Sequence, residues 1–199
     1  HTTHNEQRVY RLGGLLLNTA TLGLADVIIS NSRNTQNSFY SWQERLIRHV
    51  KKAVIYNGID IARIDASRGD QVHVRQEAGL LADDLLILNV ARCVWQKDQA
   101  TLLRAMPAVV KEIPCAKLVI VGDGPLASDL RQLAADLGVA DKVVFAGLMK
   151  RDRVYRLLHA CDIFAMVSVY EGFCNAVVEA LAARKPVIFR YSRSGLVLY

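Results

Sequence analysis

Short apolar runs rich in β-branched residues alternate with helical stretches from residue 85 to residue 189. The predicted strands are residues 85–90, 117–121, 143–145, 162–167 and 186–189. Between them, apolar residues recur at helical spacing around residues 102–110, 126–137, 154–158 and 175–183. Alternating strands and helices predict parallel βαβ units, in which both sheet faces are buried and the strands become continuous apolar runs. The sequence therefore predicts an α/β fold: a Rossmann-like parallel sheet with helices on both faces.

The first sixty residues form a separate pattern. A helix over residues 7–24, a strand at 26–30 and a helix over 35–48 precede an apolar run at 54–56. The dipeptide Asn57-Gly58 follows that run and is a turn signal. We therefore place a domain boundary between residues 53 and 54, between the end of one α/β unit and the start of another.

Composition and charge narrow the class of protein. Apolar residues make up 52% of the chain and charged residues 22%, which excludes a disordered or low-complexity chain. The net charge of +6 favours acidic partners such as phosphorylated ligands, anionic lipids or nucleic acids. The basic residues are scattered and form no recognised nucleic-acid-binding motif, so nucleic acid is not expected as a partner. No apolar stretch reaches the ~18 residues of a membrane span.

The cysteines indicate the cellular compartment of the protein, and the start of the chain indicates whether the sequence is a fragment. The 4 cysteines are too irregularly spaced for a zinc site, which predicts reduced thiols in a cytoplasmic protein. Neither an Asp-x-Asp motif nor a cluster of His and Cys is present, so no metal site is expected. The chain begins at His1 without a basic and then apolar leader, which predicts a fragment without an export signal.

The first informative junction follows the predicted strand 85–90. Arg92 lies at the strand end and Lys97 at the start of the next helix. In an open parallel sheet, ligands bind outside the carboxyl ends of the strands. Two cations there would offset the charge that develops on a diphosphate leaving group. The alternative is two solvated charges in a loop.

Two later junctions add a glycine-rich loop and a pair of carboxylates. Gly122-Asp123-Gly124 precedes a helix, so its backbone amides could approach a phosphate or a base, although a simple turn and helix cap is equally compatible. Further on, Glu171 lies in a loop and Glu179 about one helical turn, roughly 6 Å, beyond the helix start. Such carboxylates can accept hydrogen bonds from vicinal hydroxyls of a sugar diphosphate, while helix amides take the phosphate. The alternatives are a surface loop acid and an acid that stabilises the helix dipole.

Five motifs follow one another between residues 57 and 179. They are Asn57-Gly58-Ile59-Asp60, Arg92 with Gln96-Lys97, Val121-Gly122-Asp123-Gly124-Pro125, Phe145-Ala146-Gly147, and the pair Glu171 and Glu179. In order and spacing they resemble the C-terminal half of retaining GT-B glycosyltransferases of the glycosyltransferase family 4 (glycosyl transferases group 1) type. The resemblance implies two facing Rossmann-like domains, with the nucleotide-sugar donor held mainly by the C-terminal one.

The resemblance also assigns the domains and partners. Residues 1–53 would be the tail of the N-terminal acceptor-side domain, and residues 54–199 the nucleotide-sugar-binding domain, incomplete at its C-terminus. The enzyme would transfer a hexose with retention of configuration to a carbohydrate or lipid-linked acceptor, without a metal or any cofactor besides the donor itself. A lipid-linked acceptor implies peripheral contact with the inner face of the membrane for a cytoplasmic protein.

The resemblance gives roles to individual residues. The donor diphosphate would be held by the side chains of Arg92 and Lys97 and by the backbone at Cys174 and Asn175. The donor sugar would contact the candidate catalytic residue Glu171 together with Gly172 and Phe173. The ribose and base would be bound by Glu179, Leu148 and Gly124.

The sequence departs from the family pattern at two places. Val167-Ser168 stands where Pro-Ser is frequent, and Cys174 stands where glycine is usual. A side chain at Cys174 narrows the approach of a phosphate to the backbone.

Three functions are alternatives to an active glycosyltransferase. A truncated, inactive nucleotide-binding module is the main alternative, since transfer needs a cleft between two domains. An oxidoreductase is disfavoured because no complete G-x-G-x-x-G motif follows a strand, and a nucleic-acid binder lacks a motif. For this chain we expect weak nucleotide binding, no transfer, and an apolar strand edge or helix face exposed near Pro186 to Phe189 that promotes association.

Overall fold

The computed structural model describes residues 2–3, 12–171, 173–191 and 195–198. Internal contacts divide the chain into two compact units. The N-terminal unit comprises His1–Gly58 with Glu171–Cys174, and the C-terminal unit comprises Ile59–Tyr170 with Asn175–Tyr199. Candidate site residues therefore fall into both units.

The N-terminal unit contains a parallel sheet flanked by short helices. Its described strands, in sheet order, are β1 (Thr2–Thr3), β2 (Val27–Ser30) and β3 (Lys51–Val54). Its described helices are α1 (Leu12–Gly23), α2 (Arg33–Gln36) and α3 (Ser41–Leu46). The fully buried Ile28 and Ile47 belong to its small apolar core. A helix was predicted over residues 7–24, and α1 is its described part.

One sequence prediction for this unit differs from the structure. The predicted helix 35–48 is two short helices, because Ser32 caps α2 through its side chain and the Ser38 hydroxyl donates to the Thr35 carbonyl at 2.8 Å as α2 ends. The apolar run at residues 54–56 begins where β3 ends, and β3 pairs in parallel with β2 from Lys51 to Val54. Pairing with a neighbouring strand, rather than local β propensity, decides the bounds of β3.

The C-terminal unit is built on a larger sheet. Its described strands are β4 (Leu85–Val90), β5 (Ala116–Val121), β6 (Val143–Gly147), β7 (Ile163–Ser168), β8 (Val187–Tyr191) and β9 (Gly195–Leu198). The sheet order is β6-β5-β4-β7-β8-β9, and every pair is parallel except β8 with β9. Leu86, Leu88, Leu118 and Ile120 are fully buried, as the continuous apolar runs predict. The predicted α/β Rossmann-like fold is confirmed.

Helices cover this sheet on both sides. Those described are α4 (Ile61–Ala66), α5 (Gln71–Glu77), α6 (Gln99–Glu112), α7 (Ala127–Asp136), α8 (Arg151–Ala160) and α9 (Asn175–Ala182). The strands β4, β5 and β6 progress in one direction across the sheet, and β7 and β8 progress in the other. Right-handed crossovers therefore place α6 and α7 on one face and α8 and α9 on the opposite face.

The strand order reverses between β4 and β7, which is where an open α/β sheet offers its ligand crevice. The two strands pair only at Ile87 with Ile163 and at Leu88 with Phe164. Beyond that point the buried Asn89 side chain bridges them, its Nδ2 donating to the Ala165 carbonyl at 2.8 Å. Near their carboxyl ends, β4 and β7 are thus joined by the Asn89 side chain instead of by backbone pairing.

The expectation of an exposed strand edge near residues 186–189 is wrong. Strand β8 runs to Tyr191, and β9 pairs with it antiparallel, with Ile188 opposite Leu198 and Arg190 opposite Leu196. The backbone donors and acceptors on that side of β8 are therefore satisfied within the chain.

Candidate functional site

The loop after β4 carries the two predicted phosphate-binding cations on a fixed backbone. Arg92 is exposed and Lys97 is half-buried at the end of a 3₁₀ turn, Trp95–Lys97. The buried Gln99 donates from Nε2 to the Arg92 carbonyl at 2.9 Å, and the Lys97 amide donates to the Val94 carbonyl at 2.9 Å. Both cations therefore project from a backbone that internal hydrogen bonds already hold.

A second set of contacts joins this loop to the end of β7. The Val169 amide donates to the Gln96 carbonyl at 2.8 Å, and the Gln96 side chain donates from Nε2 to the Tyr170 carbonyl at 3.0 Å. The rings of Trp95 and Tyr170 meet edge to face, with centroids 5.7 Å apart. Hydrogen bonds and a ring contact thus join the loop after β4 to the loop after β7. Sequence analysis noticed Gln96 only as part of a motif and missed this bridging role.

The glycines after β5 allow two loops to pack against each other. Gly122 has a φ of 135°, and a Cβ atom there would lie 2.0 Å from the Ala91 carbonyl oxygen. At Gly124 a Cβ atom would lie 2.4 Å from the Cys93 carbonyl oxygen. The amide of Gly122 donates to Gly147, and that of Gly124 donates to the Asp123 side chain. These amides already have partners within the protein, so the glycines serve the close approach of the β4 and β5 loops.

The predicted base contact lies after β6. Gly147 adopts a φ of 66°, and its carbonyl accepts the Gly122 amide at 2.8 Å, so the loops after β5 and β6 are also joined. Leu148, the next residue, is 78% exposed. An exposed apolar side chain on a fixed turn beside the glycine loop offers a surface for a planar base.

Glu179 is buried on α9 and held by two side chains of α8. Its Oε1 lies 3.3 Å from the Tyr155 hydroxyl and 3.5 Å from Nη2 of Arg151. Burial raises the pKa of Glu179, while Arg151 and the Tyr155 hydrogen bond act in the opposite direction. Burial and the neighbouring carboxylate raise the pKa of Tyr155, which keeps its hydroxyl protonated as a donor. Sequence analysis did not find Arg151 or Tyr155.

The structure distributes the remaining predicted residues as follows. Asn175 is exposed at the first turn of α9 in the C-terminal unit. Glu171, Phe173 and Cys174 are half-buried and belong to the N-terminal unit. Gly172 lies outside the described residues. The C-terminal unit thus contains the predicted ribose and base residues and the predicted phosphate residues other than Cys174, but not the residues predicted for the donor sugar.

The part of the chain that the structure describes contains neither a metal-binding cluster nor a membrane-spanning helix. His, Cys, Asp and Glu side chains form no group of three or more that could hold a metal ion there. Equally, no helix in these ranges combines the length and the apolar character that crossing a bilayer requires.

Burial raises the pKa of Cys161 to about 12, so this thiol stays protonated and packs in the core as a small apolar side chain.

The chain is similar in sequence to known glycosyltransferases. The family model of "Glycosyl transferases group 1" matches residues 70–196. An uncharacterised glycosyltransferase of Methanocaldococcus jannaschii is 39% identical over 140 residues, which are 69% of this chain and 36% of that protein. The N-acetylgalactosamine-N,N'-diacetylbacillosaminyl-diphospho-undecaprenol 4-alpha-N-acetylgalactosaminyltransferase of Campylobacter jejuni is 30% identical over 171 residues, 86% of this chain and 43% of that protein. The chain spans less than half the length of these relatives.

Solved structures show the same fold. The crystal structure of Anabaena HepE in complex with UDP and glucose superposes with a TM-score of 0.77 at 24% identity, covering 94% of this chain and 51% of that chain. Sucrose-phosphate synthase from Thermosynechococcus elongatus superposes with a TM-score of 0.70 at 25% identity, covering 93% of this chain and 45% of that chain. With a family model that matches most of the C-terminal unit and a fold shared with these enzymes, the chain belongs to the glycosyl transferases group 1 family.

Proposed function

We propose that this chain is the donor-binding part of a glycosyltransferase that moves a hexose from a nucleoside diphosphate to a carbohydrate or lipid-linked acceptor, with retention of configuration. One observation carries the proposal. Gln96 bonds the loop of Arg92 and Lys97 to the loop after β7, so that two cations sit at the switch point of the sheet. In this fold the switch point is where ligands bind.

The proposed chemistry places the cations on the leaving group. When the bond between the anomeric carbon and the diphosphate oxygen breaks, negative charge develops on the diphosphate. Arg92 and Lys97 stabilise that charge, and their backbone is held in place before the reaction begins. On their sequence positions, just before and at the start of α9, Cys174 and Asn175 supply backbone amide donors to phosphate.

The sugar and the nucleoside take the remaining residues. On their sequence positions, Glu171, Gly172 and Phe173 bind the donor sugar, with the Glu171 carboxylate accepting hydrogen bonds from its hydroxyls. Glu179 binds the ribose hydroxyls from its buried position on α9. Leu148 packs against the base, and Gly124, whose Cβ position faces the Cys93 backbone, meets the nucleoside through its own backbone.

The relatives support a lipid-linked acceptor. The name of the Campylobacter jejuni enzyme states an acceptor linked to diphospho-undecaprenol and an N-acetylgalactosaminyl group as the transferred sugar. A similar acceptor for this chain would be embedded in a membrane, so we propose that the protein works at the cytoplasmic membrane surface. The crystallised Anabaena protein binds UDP and glucose, which supports a nucleoside diphosphate donor.

Nucleotide binding by the purified chain tests the proposal. In isothermal titration calorimetry against UDP, GDP, ADP and the matching monophosphates, we expect one diphosphate to bind at least about tenfold more tightly than its monophosphate, because the second phosphate meets Arg92 and Lys97. The same titrations with UDP-glucose and GDP-mannose identify the donor. Equal affinity for a diphosphate and its monophosphate would contradict the assigned phosphate site.

We further predict that transfer needs no metal ion. Arg92 and Lys97 supply the positive charge that a divalent cation supplies in metal-dependent transferases. An active two-domain enzyme containing this unit should therefore keep its full rate in excess EDTA, measured as release of nucleoside diphosphate. A rate that EDTA abolishes and magnesium or manganese restores would refute the prediction.

A nucleotide-binding module without transfer activity is the second candidate. The chain covers only 36% to 43% of the two curated relatives compared above, and glycosyl transfer requires a second domain to bind the acceptor and exclude water. This candidate predicts nucleotide binding in the calorimeter but no product from any donor in a transfer assay. Product formed by the purified chain would exclude it.

A further inference from the structure

The carboxylate proposed to bind ribose has an unusual pair of neighbours. Arg151 and Tyr155 lie one helical turn apart on α8, at positions i and i+4, and so share one face of that helix. Both contact the same oxygen of Glu179, its Oε1. Helix α8 therefore holds this carboxylate through a neutral hydroxyl donor and a cation together.

The three groups differ in exposure. The side chains of Glu179 and Arg151 are 9% and 61% exposed, and Tyr155 is 2% exposed. A carboxylate in a buried position tends to take up a proton, because burial disfavours its charged form. A protonated Glu179 would lose acceptor capacity toward vicinal hydroxyls.

We propose that Arg151 and Tyr155 are positioning residues for the nucleotide site: they anchor the Glu179 carboxylate through its Oε1 and so orient it toward the ribose. The proposal rests on the proposed function, in which Glu179 binds the ribose. Tyr155 fixes the orientation of the carboxylate through its hydroxyl, and Arg151 supplies the compensating charge from the solvent side. Neither residue contacts the nucleotide itself.

The direction of the pH effect follows from the pKa of Glu179. Burial raises this pKa, and Arg151 and Tyr155 lower it. Helix α9 packs against α4, α8, β7 and β8, and within the described residues the groups that counteract burial at Glu179 both come from α8. Arg63 on α4 acts on Tyr155 and thus reaches Glu179 only through it. Removing Arg151 or the Tyr155 hydroxyl therefore raises the pKa of Glu179. As the pH is lowered, each variant loses nucleotide affinity at a higher pH than the unmodified chain does.

The experiment compares R151Q and Y155F with R153Q in the full chain. Arg153 lies on the same helix but pairs with Glu77, at 3.5 Å, so R153Q removes the same charge without touching Glu179. Carbon-13 NMR of the Glu179 carboxyl follows its titration directly, and calorimetry with UDP and with GDP follows affinity from pH 5 to pH 8. R151K serves as the conservative rescue.

We expect R151Q and Y155F to move the Glu179 titration to higher pH and to weaken binding about three- to tenfold at pH 5.5, with at most about a twofold loss at pH 8. R153Q and R151K should follow the unmodified chain. A Glu179 titration that is the same in R151Q as in R153Q would overturn the positioning role. E179Q separates the two proposals: unchanged UDP and GDP affinity in that variant would refute the ribose assignment, whatever the NMR titration shows.

Discussion

Replacing Gly122 with alanine should destabilise the C-terminal unit by more than about 4 kcal/mol, enough to unfold a marginally stable domain. The new Cβ would lie 2.0 Å from the Ala91 carbonyl oxygen, a backbone atom that cannot move aside alone because the Ala91 amide is bonded to Val121. The φ of 135° adds strain for any residue with a side chain. Urea unfolding followed by circular dichroism measures the loss.

Substitutions at two other glycines distinguish the effect of the steric contact at Gly122 from the effect of backbone strain. Gly138 has a φ of 67° with open space around its Cβ position, so G138A should lose only about 1 kcal/mol through backbone strain. Gly69 has open space and no left-handed backbone, so G69A should leave the free energy of unfolding nearly unchanged. If G122A lost no more stability than G138A, the tight packing of the β4 and β5 loops would be refuted.

Replacing Lys97 with alanine in an active two-domain enzyme containing this unit should lower kcat/KM by about 30- to 1,000-fold, equivalent to about 2–4 kcal/mol of transition-state stabilisation. The loss arises because negative charge grows on the diphosphate as the glycosidic bond to it breaks. The backbone that carries Lys97 is fixed by its bond to the Val94 carbonyl and by the Gln96 contacts, so a neighbouring cation cannot easily take its place. Steady-state release of nucleoside diphosphate measures the effect.

Lys111 provides the matched control for Lys97. It lies in the last turn of α6, the helix that begins just after Lys97, and it is exposed at the opposite end of that helix. K111A therefore removes the same charge far from the carboxyl ends of the strands and should keep kcat/KM within about twofold. Equal losses in K97A and K111A would indicate a general effect of net charge and would contradict a phosphate contact at Lys97.

Much of the fold could be predicted because its signals are local. The apolar runs of β4, β5 and β7 match their predicted strands to within a residue or two, since full burial of a parallel strand requires several consecutive apolar residues. Gly138, just after α7, has a φ of 67°, the left-handed conformation that glycine adopts readily at a helix end. Where the signal was not local, the prediction failed: the edge of β8 is covered by β9, a segment that local patterns did not identify as a strand.

By itself, the sequence determined the fold class and singled out candidate loops, because helical and strand periodicity and the residues that follow each strand are properties of neighbouring positions. Only the tertiary structure decided that Gly122 serves loop packing, that Gln96 joins two loops, and that Arg151 and Tyr155 hold Glu179. Each of these contacts joins elements distant in sequence. They follow from the strand order and from the face on which each crossover helix packs, which bring together residues whose spacing along the chain carries no periodic signal.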